Sequence, residues 1–211
     1  LNPGFDPLLQ AFGGMMSTRR PGFDPKMLEF LSNRIADGVT QALGRARPAE
    51  LRWLRRSVWG LTRNRSLDIH LSNRSRTPLD PELSPCPAGL SPAQCAIDPA
   101  LDVLELRDRT SRAPLGMLAF FAMHPTVLPA HERSLGADTA GIAARVAERE
   151  LRRVGVDAFA DGDPLVGLIN TNEGDISPSW LEGTKREALR LGARCSPYLH
   201  WLCSVVRHTP V

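Results

Sequence analysis

The first clear pattern of apolar and polar positions lies near the start of the chain. Between residues 25 and 46, apolar side chains recur at steps of three and four residues, at Met27, Phe30, Leu31, Ile35, Val39 and Leu43. This spacing places them on one face of an α-helix. Asp24 and Pro25 strengthen the prediction, because aspartate is a favoured N-cap and proline suits the first helical position. We therefore predict a helix over 25–46.

Shorter apolar segments follow this helix. Residues 51–60 and residues 101–106, "LDVLEL", have the length and composition of strands. A loop rich in Asn, Ser and Arg follows the first of them, and residues 76–100 combine Pro, Ser and Cys without any period. Such a composition favours irregular structure. We expect two strands separated by a long excursion.

The second half of the chain alternates strand and helix patterns. Residues 115–123 and 165–170 are short apolar runs typical of buried strands, and residues 138–153 have a helical pattern with small residues early and charges late. A strand, helix and strand of these lengths form a right-handed βαβ unit with parallel strands. We predict an α/β fold in which a mixed sheet is flanked by helices, with the βαβ unit at 115–170.

Polar clusters follow both strands of this unit. The first strand is followed by "MHPT" and the second by "NTNEGDIS". Ligand sites in sheets of this kind lie beyond the carboxyl ends of the strands. The pattern therefore predicts that His124 lies close to the turn containing Asp175 and Ser177, at one edge of the sheet.

Three side chains are candidates for chemistry. His124 precedes a proline, which keeps its backbone extended and fixes the direction of the imidazole, as a metal ligand or general base requires; the alternative is a buried histidine bonded to a backbone carbonyl. Ser177 needs a base, a metal or oriented donors to act as a nucleophile; the alternative is the cap of a helix beginning near Pro178. Arg65 could present its guanidinium to an oxyanion or a carboxylate, or lie on the surface.

Composition and charge narrow the classes of function. The 211 residues have a net charge of +3, from 26 basic side chains, nearly all arginine, and 23 acidic ones. The stretch "LRWLRRSVWGLTRNR" includes two tryptophans that could stack on bases. We favour a strand pair with solvated arginines there, and expect no nucleic-acid partner. The longest apolar run, 115–123, is too short to span a bilayer.

The cysteines suggest a small closed loop. Cys86 and Cys95 flank a stretch rich in Pro, Gly and Ser, "SPCPAGLSPAQCAIDP". This spacing suits a disulfide loop in an exported protein, and free thiols are the alternative. Zinc binding by these cysteines is less favoured, because no CxxC pair or adjacent histidine accompanies them.

Three segments together resemble the neutral, non-lysosomal ceramidase family. The segment "NRSLDIHLSN" at 64–73 is similar to the family's Asn-Arg-Ser segment, and "LAFFAMHPTVL" resembles its strand ending in a zinc-binding histidine. The segment "NEGDISPSW" resembles its Asn-x-Gly-Asp-Val-Ser-Pro-Asn nucleophile motif. The order and spacing of the three segments match those of the family.

The resemblance implies hydrolysis of the N-acyl amide of ceramide to sphingosine and a fatty acid, with one zinc ion acting as a Lewis acid. By similarity, His124 corresponds to a zinc ligand, Ser177 to the catalytic serine and Arg65 to an arginine near the active site. The implied partner is ceramide or a similar N-acyl lipid, with contact at a membrane surface. The implied location is secreted or extracytoplasmic.

The family's pattern is only partly present. The upstream histidine segment and the downstream Glu and Tyr that complete the family's zinc site have no counterpart among these residues, so the resemblance places the remaining ligands outside this chain. His70 stands in place of a family tyrosine, and Ser179 in place of its asparagine. We expect residues 1–211 to form a single partial catalytic domain, a fragment of a larger one. The alternatives are an amidase for another N-acyl lipid or small amide, and a metal-free lipid-binding relative.

Overall fold

The computed structural model describes residues 25–73, 84–112, 114–128, 138–154 and 165–179. The chain divides into two compact units, Leu1–Arg47 and Pro48–Val211. Helix α1 of the first unit spans Pro25–Gly44, which confirms the predicted helix. The elements of the second unit are β1 (Ala49–Ser57), β2 (Thr62–Asn64), α2 (Leu67–Ser72), α3 (Pro92–Cys95), β3 (Ala100–Asp108), β4 (Pro114–Phe121), α4 (Asp138–Val154), β5 (Leu165–Asn170) and β6 (Ile176–Pro178). No helix in the described ranges is long and apolar enough to cross a membrane.

A mixed sheet forms the framework of the second unit. Within the described residues its strand order is β1–β3–β4–β5. The pairs β1–β3 and β3–β4 are antiparallel, whereas β4 and β5 are parallel. Buried side chains alternate along β3 with partly exposed ones, as expected of a strand with one face on the core. The predicted α/β fold with a mixed sheet is therefore confirmed.

The predicted βαβ unit is formed by β4, α4 and β5. Helix α4 places Ala143, Ala147 and Leu151, spaced four residues apart, in the core against the sheet. Close packing also explains a glycine in β4, since a Cβ on Gly116 would lie 2.6 Å from the carbonyl oxygen of Leu165. Only glycine allows β5 to approach so closely at this position.

A second, two-stranded sheet pairs β2 with β6 in antiparallel register. The sequence predicted a loop for the segment after β1, and this prediction is wrong because the segment forms β2 and α2. Strand β2 is only three residues long, and its partner lies far along the chain, where Thr62 pairs with Pro178. No local periodicity of apolar positions marks such a strand.

A disulfide bond joins Cys86 to Cys95, as the spacing predicted. The segment is not wholly irregular, however, because α3 forms one helical turn within it. The Ser91 side chain accepts a hydrogen bond from the Gln94 N–H, and the Gln94 side chain accepts one from the Ser91 N–H. This capping box fixes the start of α3. The disulfide and the capping box together give the segment a defined shape.

One carboxylate lies on the core face of the main sheet. Glu105 of β3 is 2% exposed. Its Oε1 accepts a hydrogen bond from Arg107 Nε at 2.8 Å, and its Oε2 lies 3.6 Å from Arg52 Nη1. Burial raises the pKa of Glu105 above its ordinary value, and the two arginines act in the opposite direction.

Glu105 is expected to make stability depend on pH. Because its pKa in the folded state is raised above the ordinary 4.5, the stability that it contributes is present below pH 4.5 and is lost as the pH rises through the folded pKa. Glu105→Gln removes this titration. The free energy of unfolding of the wild type relative to Glu105→Gln, measured by urea unfolding over a pH series, should therefore fall as the pH rises above 4.5. A difference that stays constant across the series would contradict this expectation.

Candidate active site

Backbone pairing holds Ser177 inside β6. Ser177 lies opposite Arg63 in the register with β2, and beyond the strand end the Ser179 N–H donates to Leu61 O at 2.8 Å. Ser177 is 8% exposed. The alternative interpretation of Ser177 as a helix cap is wrong, because Ser177 and Pro178 are both strand residues. The strand pairing therefore fixes the backbone from which this hydroxyl projects.

His124 is held by two hydrogen bonds to one carbonyl oxygen. Its backbone N–H donates to Ile176 O at 3.2 Å, and its ring Nδ1 lies 3.0 Å from the same oxygen. Because a carbonyl oxygen only accepts, this contact requires the proton on Nδ1, and a neutral imidazole then has its lone pair on Nε2. A backbone carbonyl orients many metal-binding histidines in this way. His124 is therefore set up to offer Nε2 to a metal ion or a proton.

The Ile176 carbonyl brings two of the candidates together. Ile176 directly precedes Ser177, so the residue that anchors the His124 ring is the neighbour of the serine. The two residues come from different strand ends, since His124 follows β4 and Ser177 belongs to β6. The predicted proximity of His124 to the Asp175–Ser177 turn is therefore observed.

Arg65 contacts the same turn. Its backbone N–H donates to Asp175 O at 2.8 Å, and its Nη2 donates to Gly174 O at 2.9 Å. The side chain is exposed. A guanidinium has five N–H donors, so the bond to Gly174 leaves donor capacity for a polar or anionic group. All three predicted site residues thus lie on or against residues 174–177.

The arginine-rich stretch is integrated into the sheet. Arg55 makes a bidentate contact with Asp102 on the neighbouring strand, at 2.6 and 2.9 Å. The Trp53 ring lies 5.6 Å from the ring of Phe120, centroid to centroid. These contacts agree with the interpretation of the stretch as part of a strand pair.

Comparison with known proteins identifies the family. The family described as "Neutral/alkaline non-lysosomal ceramidase, N-terminal" matches residues 13–207. The chain belongs to this ceramidase family.

Solved ceramidases share the fold of this family member. The neutral ceramidase from Pseudomonas aeruginosa matches with a TM-score of 0.67 at 20% identity, over 88% of this chain and 27% of that one. A structure described as a ceramidase complexed with C2 matches with a TM-score of 0.61 at 20% identity, over 83% of this chain and 26% of that one. No curated protein matches the chain significantly. The fold is thus that of a fragment of neutral ceramidase.

The donor set of this ceramidase-family chain fits a zinc ion only in part. Among the residues that the structure describes, no three His, Cys, Asp or Glu side chains lie close enough to hold a metal ion together. His124 fits as a single ligand, because its Nδ1 contact leaves Nε2 available. The described part of the chain therefore offers one side chain, His124, whose geometry suits a metal ligand.

Two polar side chains beside the site were not predicted from the sequence. Glu173 Oε2 lies 3.8 Å from His124 Nδ1 and is buried without a hydrogen-bond partner among the described residues. Asn64, the last residue of β2, is 3% exposed and donates from Nδ2 to Asp175 Oδ2 at 2.6 Å. Both lie within the segments that carry the ceramidase resemblance. In sequence, however, each looks like an ordinary polar residue of a loop, and only the tertiary contacts distinguish it.

Proposed function

We propose that the full-length protein containing this chain hydrolyses the N-acyl amide bond of ceramide to sphingosine and a fatty acid, with one zinc ion. The observation that carries this proposal is the pair of hydrogen bonds from His124 to the Ile176 carbonyl, which holds an imidazole with its proton on Nδ1 and its lone pair on Nε2 next to the residue that precedes Ser177. Membership of the neutral/alkaline ceramidase family supports the substrate class.

Each of the three site residues has a distinct proposed role. His124 holds zinc through Nε2, and Ser177 acts at the carbonyl carbon of the amide. Ser177 either attacks that carbon itself or orients the attacking water. In both cases the amide C–N bond breaks, and water supplies a hydroxyl to the acyl group and a proton to the amine. Arg65 stabilises the oxygen on which negative charge develops.

Zinc, when bound, supplies a Lewis acid that polarises the amide carbonyl. A catalytic zinc site has about three protein ligands. The described residues contain no group of three metal-binding side chains. Because the family's upstream histidine segment and downstream Glu and Tyr have no counterpart in this sequence, the resemblance leads us to place the ligands other than His124 outside this chain.

The test is turnover of a fluorescent ceramide by the full-length protein. We expect hydrolysis that a chelator abolishes and added zinc restores, because the metal is needed to polarise the amide. Three further substrate arms separate the alternatives: an N-acyl amino acid, an N-acylethanolamine and a small amide. Turnover of these without turnover of ceramide would indicate another amidase. Ceramide binding with neither turnover nor zinc would indicate a lipid-binding relative. Either outcome would contradict the proposed function.

We also propose that the protein is secreted or extracytoplasmic and contacts a membrane surface to reach its lipid substrate. The Cys86–Cys95 disulfide supports the location, because disulfides persist mainly in oxidising compartments. Free thiols at these two cysteines in protein taken directly from its host would contradict it.

A further inference from the structure

We propose that Asn64 is a positioning residue of the hydrolytic site. Its side chain bonds the turn before Ser177 to the end of β2, the strand that directly precedes Arg65. This inference rests on the proposed function for its kinetic consequence. Its structural basis is a network of hydrogen bonds around one buried amide. The hydrogen bonds of the Asn64 side chain go to Asp175, Ala96 and Ser66, so we infer that it acts on the site through Asp175.

The Asn64 side chain bonds to three separate segments of the chain. Its Nδ2 donates to Asp175 Oδ2 at 2.6 Å and to Ala96 O at 3.0 Å. Its Oδ1 accepts from the Ser66 N–H at 2.7 Å. The three partners lie in the turn before β6, in the segment that follows the disulfide-bonded α3, and at the start of α2. One side chain thus joins the disulfide segment to the candidate site.

Only an amide can make this set of bonds. A carboxamide has two N–H donors and an acceptor oxygen, and here it donates two hydrogen bonds and accepts one. A carboxylate would offer no donor, and an apolar side chain would offer neither donor nor acceptor. Asn64 is 3% exposed, so water cannot readily replace a lost partner. Leaving such a buried group unpaired is therefore unfavourable.

Asp175 transmits this restraint to the site. Its carboxylate is held by Asn64, and its carbonyl accepts from the Arg65 N–H at 2.8 Å. The next residue, Ile176, pairs with Asn64 in the strand register and accepts both bonds from His124. A shift of Asp175 would therefore move the anchor of the imidazole and the backbone of Ser177 together. Misplacing reacting groups by an ångström can cost about 10²-fold in rate.

The most informative variant is Asn64→Asp, which keeps the size of the side chain. It replaces the donor facing Asp175 with an oxygen, and two carboxyls in contact cannot both ionise readily. At low pH the two groups can share a proton and keep a hydrogen bond. We expect kcat for ceramide to fall about 10²-fold at neutral pH. KM should change little, and the loss in kcat should shrink as the pH is lowered.

A second substitution tests the pair directly. Asn64→Asp combined with Asp175→Asn exchanges the amide and the carboxylate, so the bond between the two positions can form again. The bond to Ala96 O is still lost, because a carboxylate has no donor for it. We therefore expect partial recovery of kcat without the added pH dependence, which a role in packing alone would not produce. The coupling between the two substitutions measures the contribution of the pair.

The chain contains a matched control for this exchange. Asn172 Nδ2 donates to Asp98 Oδ2 at 3.1 Å, and this amide–carboxylate pair is exposed. Asn172→Asp should leave kcat and its pH profile as in the wild type, because solvent screens the two charges. The other charged or titratable groups around the Gly174–Ile176 turn are Arg65, Glu173 and His124, and both Asn64→Asp and Asn172→Asp leave all three in place.

Hydrogen exchange provides a readout that does not need activity. In Asn64→Asp the backbone N–H groups of Arg65 and His124, which donate to Asp175 O and Ile176 O, should lose protection at neutral pH. The double variant should restore it. Unchanged kcat and unchanged amide protection in Asn64→Asp would overturn the proposal. A loss of kcat that is reversed neither by lowering the pH nor by adding Asp175→Asn would also overturn it. If the wild type hydrolyses no N-acyl amide, the proposed function fails and the exchange rates alone decide the role of Asn64.

Discussion

Replacing Ser177 with alanine is expected to reduce ceramide hydrolysis by on the order of 10⁴-fold or more while the protein remains folded. The proposed role places the Ser177 hydroxyl at the carbonyl carbon of the amide, where its loss removes the attacking or orienting group. The fold should persist because backbone bonds hold β6 to β2, and alanine keeps all of them. The free energy of unfolding should change by about 1 kcal/mol or less.

The measurement is single-turnover hydrolysis of a fluorescent ceramide by the full-length protein, together with urea unfolding of each variant. Ser179→Ala is the matched control, because it makes the same serine-to-alanine change two residues further along the chain. The Ser179 hydroxyl contacts the Gln94 side chain at 3.1 Å. Because this hydroxyl bonds to Gln94 and has no proposed role at the amide, the Ser179→Ala variant should retain most of the turnover. Full activity in Ser177→Ala would remove Ser177 from the chemistry, and equal losses in both variants would indicate a general disturbance of the segment.

The βαβ unit could be predicted because its information is local. Apolar runs at 115–123 and 165–170 are long enough to identify buried strands, and the chirality of the crossover limits how they can be arranged. Strand order then places polar residues at the carboxyl ends near one another. The proximity of His124 to the turn before Ser177 follows from this topology. The structure shows this proximity as the contact between His124 Nδ1 and Ile176 O.

The β2–β6 pair could not be predicted, because neither strand has a pattern of its own. Each is three residues long, which is too short to show a period of two. Their pairing depends on contacts between distant segments, including the bond from Asn64 to Asp175. The sequence alone therefore identified Ser177 as a residue of interest but assigned it to the wrong kind of element. The roles of the site residues stay predictions, since chemistry has to be measured.

Replacing His124 is expected to remove zinc and activity together. Loss of an outer-shell partner alone typically costs about 10–100-fold in metal affinity, and loss of a ligand should cost more. His124→Ala also removes the ring contact to Ile176 O, so it changes both the metal site and the anchor of the turn. His124→Asn separates the two effects, because its amide can still donate to that carbonyl but has no counterpart of Nε2.

Both variants should therefore lack zinc, but only His124→Ala should disturb the turn before Ser177. Zinc per full-length protein, measured by elemental analysis after dialysis, tests the first expectation. Hydrogen exchange of the Ile176 N–H, which donates to Glu173 O at 2.7 Å, tests the second. His70→Ala is the control, since His70 lies in α2 and should leave the zinc content unchanged. Wild-type zinc in both His124 variants would remove His124 from the metal site. Zinc loss in His124→Ala alone would mean that the imidazole acts by holding the turn, because the Asn variant keeps that contact and lacks the ligand.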